Sequence, residues 1–311
     1  GSEMCIRDRN WGYMANLSFN RFYYSQRDNH SERYGLQPSL LISYNPVDNL
    51  HFRYHINLKN NAPSIAYLND VEQRIDILQM RRGNPDLKSF RSTIQDFNAV
   101  FSTGICSIDA LVSYAYEKNP IMESVIYEEG MFIRTYENQK SFQHLAAEIT
   151  FKIKPWKDHI SLSVTPGINR YISTGNNYLH TYTLKELRIN LDASYKNWLL
   201  SFMTITPPNR YVYGEQLLKG DLMHTLMIGY KQPAWSIMAG IHNPFMKTYR
   251  SENENWSALN PVKSDIHSTN MSNTIVVKLN FNLNFGRQYK STNKRIQNMD
   301  TDPGILQGTK E

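Results

Sequence analysis

The chain has 311 residues, with 34 Lys and Arg against 28 Asp and Glu for a formal net charge of +6, and it is only 41% hydrophobic. That length allows one large domain or two ordinary ones, and no apolar run approaches the ~18–20 residues of a membrane-spanning helix. The basic residues are scattered rather than blocked, which argues against a nucleic-acid partner. The two cysteines, Cys5 and Cys106, provide neither a disulfide framework nor metal-ligand spacing.

In chain order, "GSEMCIRDR" at 1–9 fits no strand pattern and carries no apolar signal core. It reads as a non-native leader resembling translated sequencing-adapter remnant, with the native gene expected to continue upstream. Beyond it, residues alternate between apolar and polar with the period of a strand whose faces meet different solvents. Leu50, Phe52, Tyr54, Ile56 and Leu58 alternate with His51, Arg53, His55, Asn57 and Lys59. The same holds for Leu145, Ala147, Ile149, Phe151 and Ile153, for Ile160, Leu162 and Val164, and for Leu187, Ile189, Leu191 and Ala193. Ile275, Val277, Leu279, Phe281, Leu283 and Phe285 repeat it at 273–285, with Lys278, Asn280, Asn282 and Asn284 between them. Weaker alternation runs through 14–25, 38–45, 91–103, 106–117, 197–206, 221–231 and 233–242. The stretch 122–137 is ambiguous and has room for one short hairpin. The expectation is about fourteen strands and no amphipathic helix.

Many of these runs span 10–14 residues. Globular strands average about 5–6 residues, whereas a tilted strand needs ~9–11 to cross a bilayer. The connections sort by length as well. Those near 45–48, 103–105, 155–157, 196 and 231–232 are short. Those near 26–37, 61–90, 173–182, 207–220 and 243–272 are long, and a hairpin within 122–137 preserves the alternation. Short turns on one side and long loops on the other is the habit of an outer-membrane barrel. Twenty Tyr, 13 Phe and 5 Trp fit the same picture. Tyr44, Tyr116, Trp156, Tyr171, Tyr195, Trp198, Tyr230 and Trp235 near strand ends would form its aromatic girdles. Phe285 would close the barrel at the periplasmic interface. The polar stretch 286–311 would be a periplasmic tail whose Arg287, Lys290, Lys294 and Arg295 are placed to meet water or anionic headgroups.

The fold expected is therefore all-β: an antiparallel transmembrane barrel over 10–285, in the cell outer membrane, with lipid outside and a wet lumen within. The segment "NLKNNAPSIAYLNDVEQRIDILQMRRGNPDLKSF" and the end "NFNLNFGRQYKSTNKRIQNMDTDPGI" resemble the barrel of Bacteroidetes-type TonB-dependent outer-membrane receptors, over roughly residues 12–308. Pro63–Ser64 after a strand, Gly83-Asn84-Pro85-Asp86-Leu87-Lys88 before the next, and Asn119-Pro120-Ile121 carry the likeness. Ser89 stands where that family usually has Pro. The resemblance implies a ~22-strand barrel closed by a plug, with the plug, the TonB-contacting segment and the early strands upstream of this chain. It implies energy-coupled uptake of an iron chelate, glycan or peptide, with TonB and a surface lipoprotein as partners. Within "GNPDLK" itself, Gly83 permits positive φ, Asn84 before Pro85 is kept from the helical region, and Asp86 can close a side-chain turn.

No HExxH, GxSxG, GxxxxGK or CxxC occurs. His51 and His55, on one strand face, are ~13 Å apart and too far to share a metal, and Asp109 and Glu117 are too far apart for a carboxylate pair. No catalytic, cofactor-binding or metal-binding residue is assigned, and the substrate contacts are left to the loops 61–90, 207–220 and 243–272 and to lumen side chains. Asn255-Trp256-Ser257 matches a glycosylation sequon, and "ENEN" at 252–255 reads as loop. The alternatives are a complete passive channel of about fourteen strands, an outer-membrane hydrolase and an extracellular β-rich binding module.

Overall fold

The structure, a computed structural model, describes residues 2–7, 10–26, 29–156, 159–206 and 211–282. Phe285, the tail 286–311 and its four basic residues lie outside the described residues. The chain runs β1 (Ser2–Arg7), β2 (Trp11–Gln26), β3 (Asn29–Val47), β4 (Leu50–Asn61), α1 (Ile65–Leu68), β5 (Gln73–Arg74), β6 (Gln79–Arg81), β7 (Phe90–Ser102) and β8 (Cys106–Lys118). It continues through β9 (Ile121–Glu128), β10 (Met131–Asn138), β11 (Ser141–Trp156), β12 (Ile160–Thr174), β13 (Leu179–Tyr195) and β14 (Trp198–Ile205). The last elements described are β15 (Tyr211–Tyr213), β16 (Gln216–Gly220), β17 (Met223–Lys231), β18 (Trp235–His242), β19 (Tyr249–Asn255), β20 (Val262–Ser268) and β21 (Thr274–Phe281).

Thirteen strands form one antiparallel sheet in the order β1-β2-β3-β4-β7-β8-β11-β12-β13-β14-β17-β18-β21. Each neighbour in that order is the next long strand along the chain, as in a meander of hairpins. Long ladders, interrupted by bulges near Tyr44–Val47 and Ile153–Trp156, pair the backbones of the inner strands over most of their length, as crossing hydrocarbon requires, where an unpaired peptide group costs several kcal/mol. β1 and β21 are the two edges. The leader residues 2–7, which fit no strand pattern, nevertheless pair with 12–17: backbone groups bond whatever the side chains, and β2 offers an open edge.

The register places the alternating residues as expected. On β11, Ala147, Ile149 and Phe151 stand opposite Val112, Ala110 and Ile108 of β8 on the outer face. Their neighbours Glu148 and Thr150 face inward with Asp109 and Leu111. On β21 the odd-numbered side chains Ile275, Val277, Leu279 and Phe281 are 76, 59, 57 and 67% exposed. Among the described residues no second protein layer covers them. The inner face is a polar lattice. Ser113 Oγ donates to Asp96 (2.6 Å), His144 contacts Asn169 (2.7 Å), Thr150 contacts Thr165 (2.9 Å), and Arg188 donates to Glu148 (2.7 Å).

All the long connections fall on one side. Turns 48–49, 103–105, 196–197 and 232–234 are tight, and the connection after β11 is short too, whereas 62–89, 119–140, 206–222 and 243–273 are long. At the short-turn end the outer face is rich in aromatics. Trp11 stacks on Tyr44 (4.2 Å between centroids), Trp156 approaches Tyr195 (6.2 Å), and Tyr230 lies between Trp198 (5.0 Å) and Trp235 (5.8 Å). Tyr171 is a correction to the girdle: it sits on the inner face at the opposite end and is buried. Tyr116 lies at that end too, opposite Thr93 and Gln143.

Two long connections of the sequence reading are short. β2 and β3 pair through Gln26↔Asn29, and β12 and β13 through Thr174↔Leu179. In sequence 26–37 and 173–182 carry no clean apolar alternation and so read as loops, although their backbones pair. The hairpin expected in 122–137 exists as β9–β10, but outside the large sheet. It forms a second sheet, β5-β6-β10-β9, while β15-β16-β19-β20 form a third. Without the two strands of that hairpin twelve of the expected fourteen line the wall, β1 of the leader makes thirteen, and "ENEN" is strand β19 rather than loop.

Candidate functional site: the loop-lined mouth

The second sheet is anchored by a small core of Leu68, Leu87 and Ile121, flanked by Tyr67, Phe90 and Tyr136. Ser64 caps α1, its hydroxyl accepting from the Ala66 amide at 3.2 Å. "GNPDLK" serves this core. Asn84 rather than Asp86 closes the side-chain turn, its Oδ1 accepting from the Asp86 amide (2.9 Å) while its Nδ2 donates to the Tyr136 carbonyl (2.9 Å). Gly83 is required by crowding and not by positive φ: a Cβ there would lie 2.6 Å from the Tyr67 carbonyl oxygen. Asn138 holds both the amide and the carbonyl of Lys88 (2.8 and 2.9 Å). Leu87, 1% exposed, is thereby pinned in the core.

The third sheet turns inward over the mouth. Val212 and Leu217 pack with Met122 against Phe142, Tyr171 and Leu184 of the wall, and Tyr182, Tyr213 and Trp256 flank them. Tyr213 Oη donates to Glu117 (3.0 Å), and the Gly214 amide donates to Ser173 Oγ (3.1 Å). Gly214 adopts φ +65°, and a Cβ there would press on Met122 at 3.2 Å. Burial, with the Glu117 carboxylate beside it, pushes the Tyr213 hydroxyl far above its usual range. Burial likewise raises Glu215, with Glu123 and Glu137 adding repulsion, and raises Tyr178 beside Glu215 and Glu137. The rim on this side is aromatic and acidic.

One face of the third sheet carries a ladder of opposite charges. Register brings Lys219, Glu252 and Asp265 into one row and Leu217, Glu254 and Lys263 into the next. Lys219 pairs with Glu254 (3.1 Å), Arg250 forks onto Asp265 (2.7–3.0 Å), and Lys263 pairs with Glu252 and Glu254. Hydrogen bonding to Asp265 raises Arg250, and the same pair lowers Asp265. Glu254 is held low by its hydrogen bonds to Glu252, the Trp256 indole and the two lysines. Beside the ladder, Tyr182, Lys219, Gly220, Asp221, Arg250 and Glu252 enclose about 180 Å³. Deeper on the inner face, a second cavity of about 200 Å³ lies around Glu148, Thr165, Gly167, Glu186 and Arg188. Both offer donors and acceptors of either charge, suited to a polar ligand with several contact points.

Of the three loops expected to meet a ligand, 207–220 (described from 211) and 243–272 build the mouth, while 61–90 builds the second sheet. The connection 119–140, not among those three, supplies Met122, Glu123 and Glu137; its hairpin character was legible, its destination was not. His51 and His55 lie on the inner face as expected and do not converge: His51 contacts Asn45 (2.8 Å) and His55 approaches Asp96 (3.6 Å). Asp109 pairs with Asn98 and Glu117 with Tyr213, so they too remain apart. Asn255, of the sequon, is buried. Among the described residues no group of three His, Cys, Asp or Glu side chains could hold a metal ion.

Solved structures with a similar fold include the siderophore receptor PirA of Pseudomonas aeruginosa (14% identity, TM-score 0.59, covering 89% of this chain and 46% of that one). The ferric enterobactin receptor PfeA of the same organism matches at 16% identity and TM-score 0.57 over 78% of this chain and 38% of that one. The FrpB iron transporter of Neisseria meningitidis matches at 10% identity and TM-score 0.62 over 89% and 44%. This chain thus spans less than half the length of these receptors. No curated protein matches the sequence. The model of the outer membrane protein beta-barrel family matches residues 15–209, well over half the chain. The outward apolar stripe, the aromatic belt at the short-turn end and that match agree: this chain belongs to the outer membrane protein beta-barrel family and resides in the cell outer membrane.

Proposed function

We propose that this chain is the C-terminal part of the barrel of a TonB-dependent receptor that takes up a bulky polar nutrient, an iron chelate in the first instance. The observation that carries this reading is the sheet itself. With the leader strand β1 set aside, the twelve strands from β2 to β21 make a wall whose two edges are bare among the described residues and need further strands, and whose polar inner face needs a filling. Upstream strands and a plug meet both needs, and residues 1–9 are a leader foreign to that architecture. The likeness in fold to siderophore and iron receptors about twice as long supports it. The mouth, lined by Tyr182, Lys219, Asp221, Arg250 and Glu252, would make first contact with the ligand, and energy would come through TonB reached by the upstream region. A surface lipoprotein would be an accessory partner.

The test is transport. The complete gene is expressed in TonB-proficient and TonB-deficient hosts, and accumulation of an ⁵⁵Fe-labelled catecholate chelate is followed. The reading expects accumulation that requires both this chain and TonB. Accumulation that requires the chain and ignores TonB would make it a passive channel.

A further inference from the structure

The two external sheets meet across a small cavity of about 80 Å³, lined by Arg134 of β10 and by Gln216, Asn253, Asn255, Val262 and Ser264 of the third sheet. A direct hydrogen bond beside it, Asn260 Nδ2 to Gln79 Oε1 (3.3 Å), ties the same two sheets together. The Nε of Arg134 is buried and has no hydrogen-bond partner. A buried guanidinium nitrogen left unpaired is costly.

The register explains why no carboxylate of the third sheet answers it. Gln216, Asn255 and Val262 form one cross-strand row and Asn253 and Ser264 belong to the next, all on one face. Glu252, Glu254 and Asp265 alternate with them and therefore face the other way, where Lys219, Arg250 and Lys263 already neutralise them. On its own sheet Arg134 stands beside Arg81 in the parallel β6–β10 ladder, a second cation on the same face. The nearest acid along β9, Glu123, is opposite Tyr136 and does not line the cavity. Asn255 Oδ1 is occupied by the Ser257 amide (2.9 Å), so the amide nitrogen is what Asn255 offers the cavity.

We propose that this cavity is a site for one small carboxylate anion, which bridges the two external sheets. The chemistry fits in each part. A carboxylate takes a guanidinium bidentately and with charge assistance. The amides of Gln216, Asn253 and Asn255 and the Ser264 hydroxyl are neutral donors for its remaining lone pairs, and Val262 suits a methyl group. A water occupies ~30 Å³ of liquid, so the space admits an anion of acetate size and little more. Once bound, the anion joins β10 to β16, β19 and β20, and so couples the 119–140 connection to the two segments that build the mouth.

The test uses the product of the complete gene in bilayers or detergent, with ¹³C-acetate as the probe and NMR line broadening as the readout. Wild type is expected to broaden acetate saturably. Arg134→Gln, and Asn253→Leu, which fills the cavity without touching the charge, should each weaken binding about tenfold or more. Lys263→Gln, on the opposite face of the same sheet, should leave it unchanged, and acetamide should not compete. Folding of each variant is checked by heat-modifiable mobility; if Arg134→Gln does not fold, Asn253→Leu carries the test. Absence of saturable broadening, unchanged affinity in the cavity variants, or equal loss in Lys263→Gln would overturn the proposal.

Discussion

β11, in the wall, carries the single acid Glu148, whereas β19, in the third sheet, carries Glu252 and Glu254, and the two strands are stabilised by different surroundings. Along β11, Leu145, Ala147, Ile149, Phe151 and Ile153 face outward to lipid, and the Glu148 face looks into a polar interior. Along β19 neither face is apolar. Arg250, Glu252 and Glu254 pair across to β16 and β20, and Ser251, Asn253 and Asn255 form an amide and hydroxyl face. The wall draws its stability from a solvent it cannot leave. The external sheets draw theirs from small cores and an ion ladder, so they should yield to conditions the wall ignores.

The largest way to break that comparison is in the core around "GNPDLK". Leu87→Ala should cost ~2–5 kcal/mol through lost burial and the cavity left behind. Limited proteolysis is expected to open 62–89 and 119–140 while the wall still resists urea. A wall that softened equally would mean the two regions are one cooperative unit. In the wall, Ile149→Arg should cost ~2–4 kcal/mol if the residue lies near the bilayer midplane. Its neighbour Glu148→Gln, on the inner face and part of a partly exposed pair with Arg188, should cost at most ~1 kcal/mol; urea unfolding in bilayers measures both. Ser64→Ala removes the cap of α1 at ~1 kcal/mol, read as faster amide exchange at Ala66.

The smallest effect concerns the ladder. Asp265 and Glu254 are held below the ordinary carboxylate range, so their contribution is complete above about pH 4, the unfolded value, and is lost as pH falls through the lowered folded values. Molar salt weakens the same exposed pairs. Proteolysis of 243–273 is therefore expected to accelerate in acid and in high salt, with no change in resistance of the wall. Equal rates at neutral and acid pH would show that the ladder adds nothing.

The wall was legible because lipid on one face and water on the other imprint a period of two over ten or more residues. Ile275–Phe281 and Leu145–Ile153 read directly as strands, with their facing correct. The external sheets were not legible for the converse reason. β19 is polar over most of both faces, β20 has only Val262 and Ile266 among polar residues, β5 has two residues and β15 three, so none carries a sustained hydrophobic period. The hairpin 121–138 gave its shape but not its sheet, because its partner β6 lies some fifty residues earlier. The mouth was legible as loops and not as residues: Tyr182, Tyr171 and Leu184 look like ordinary wall positions until β15 and β16 fold back on them. "GNPDLK" announced a turn, but which side chain closes it depends on Tyr136, which no local rule could supply.

The account rests on the two faces of the wall, and spin-label accessibility along β11 tests it most directly. Single cysteines at 145–153, in a background lacking Cys5 and Cys106, are labelled in bilayers and relaxed by oxygen and by a water-soluble nickel chelate. The account predicts high oxygen contact at 145, 147, 149, 151 and 153 and high nickel contact at the even positions between them. Uniform accessibility, or low oxygen contact at the odd positions because protein covers them, would contradict it.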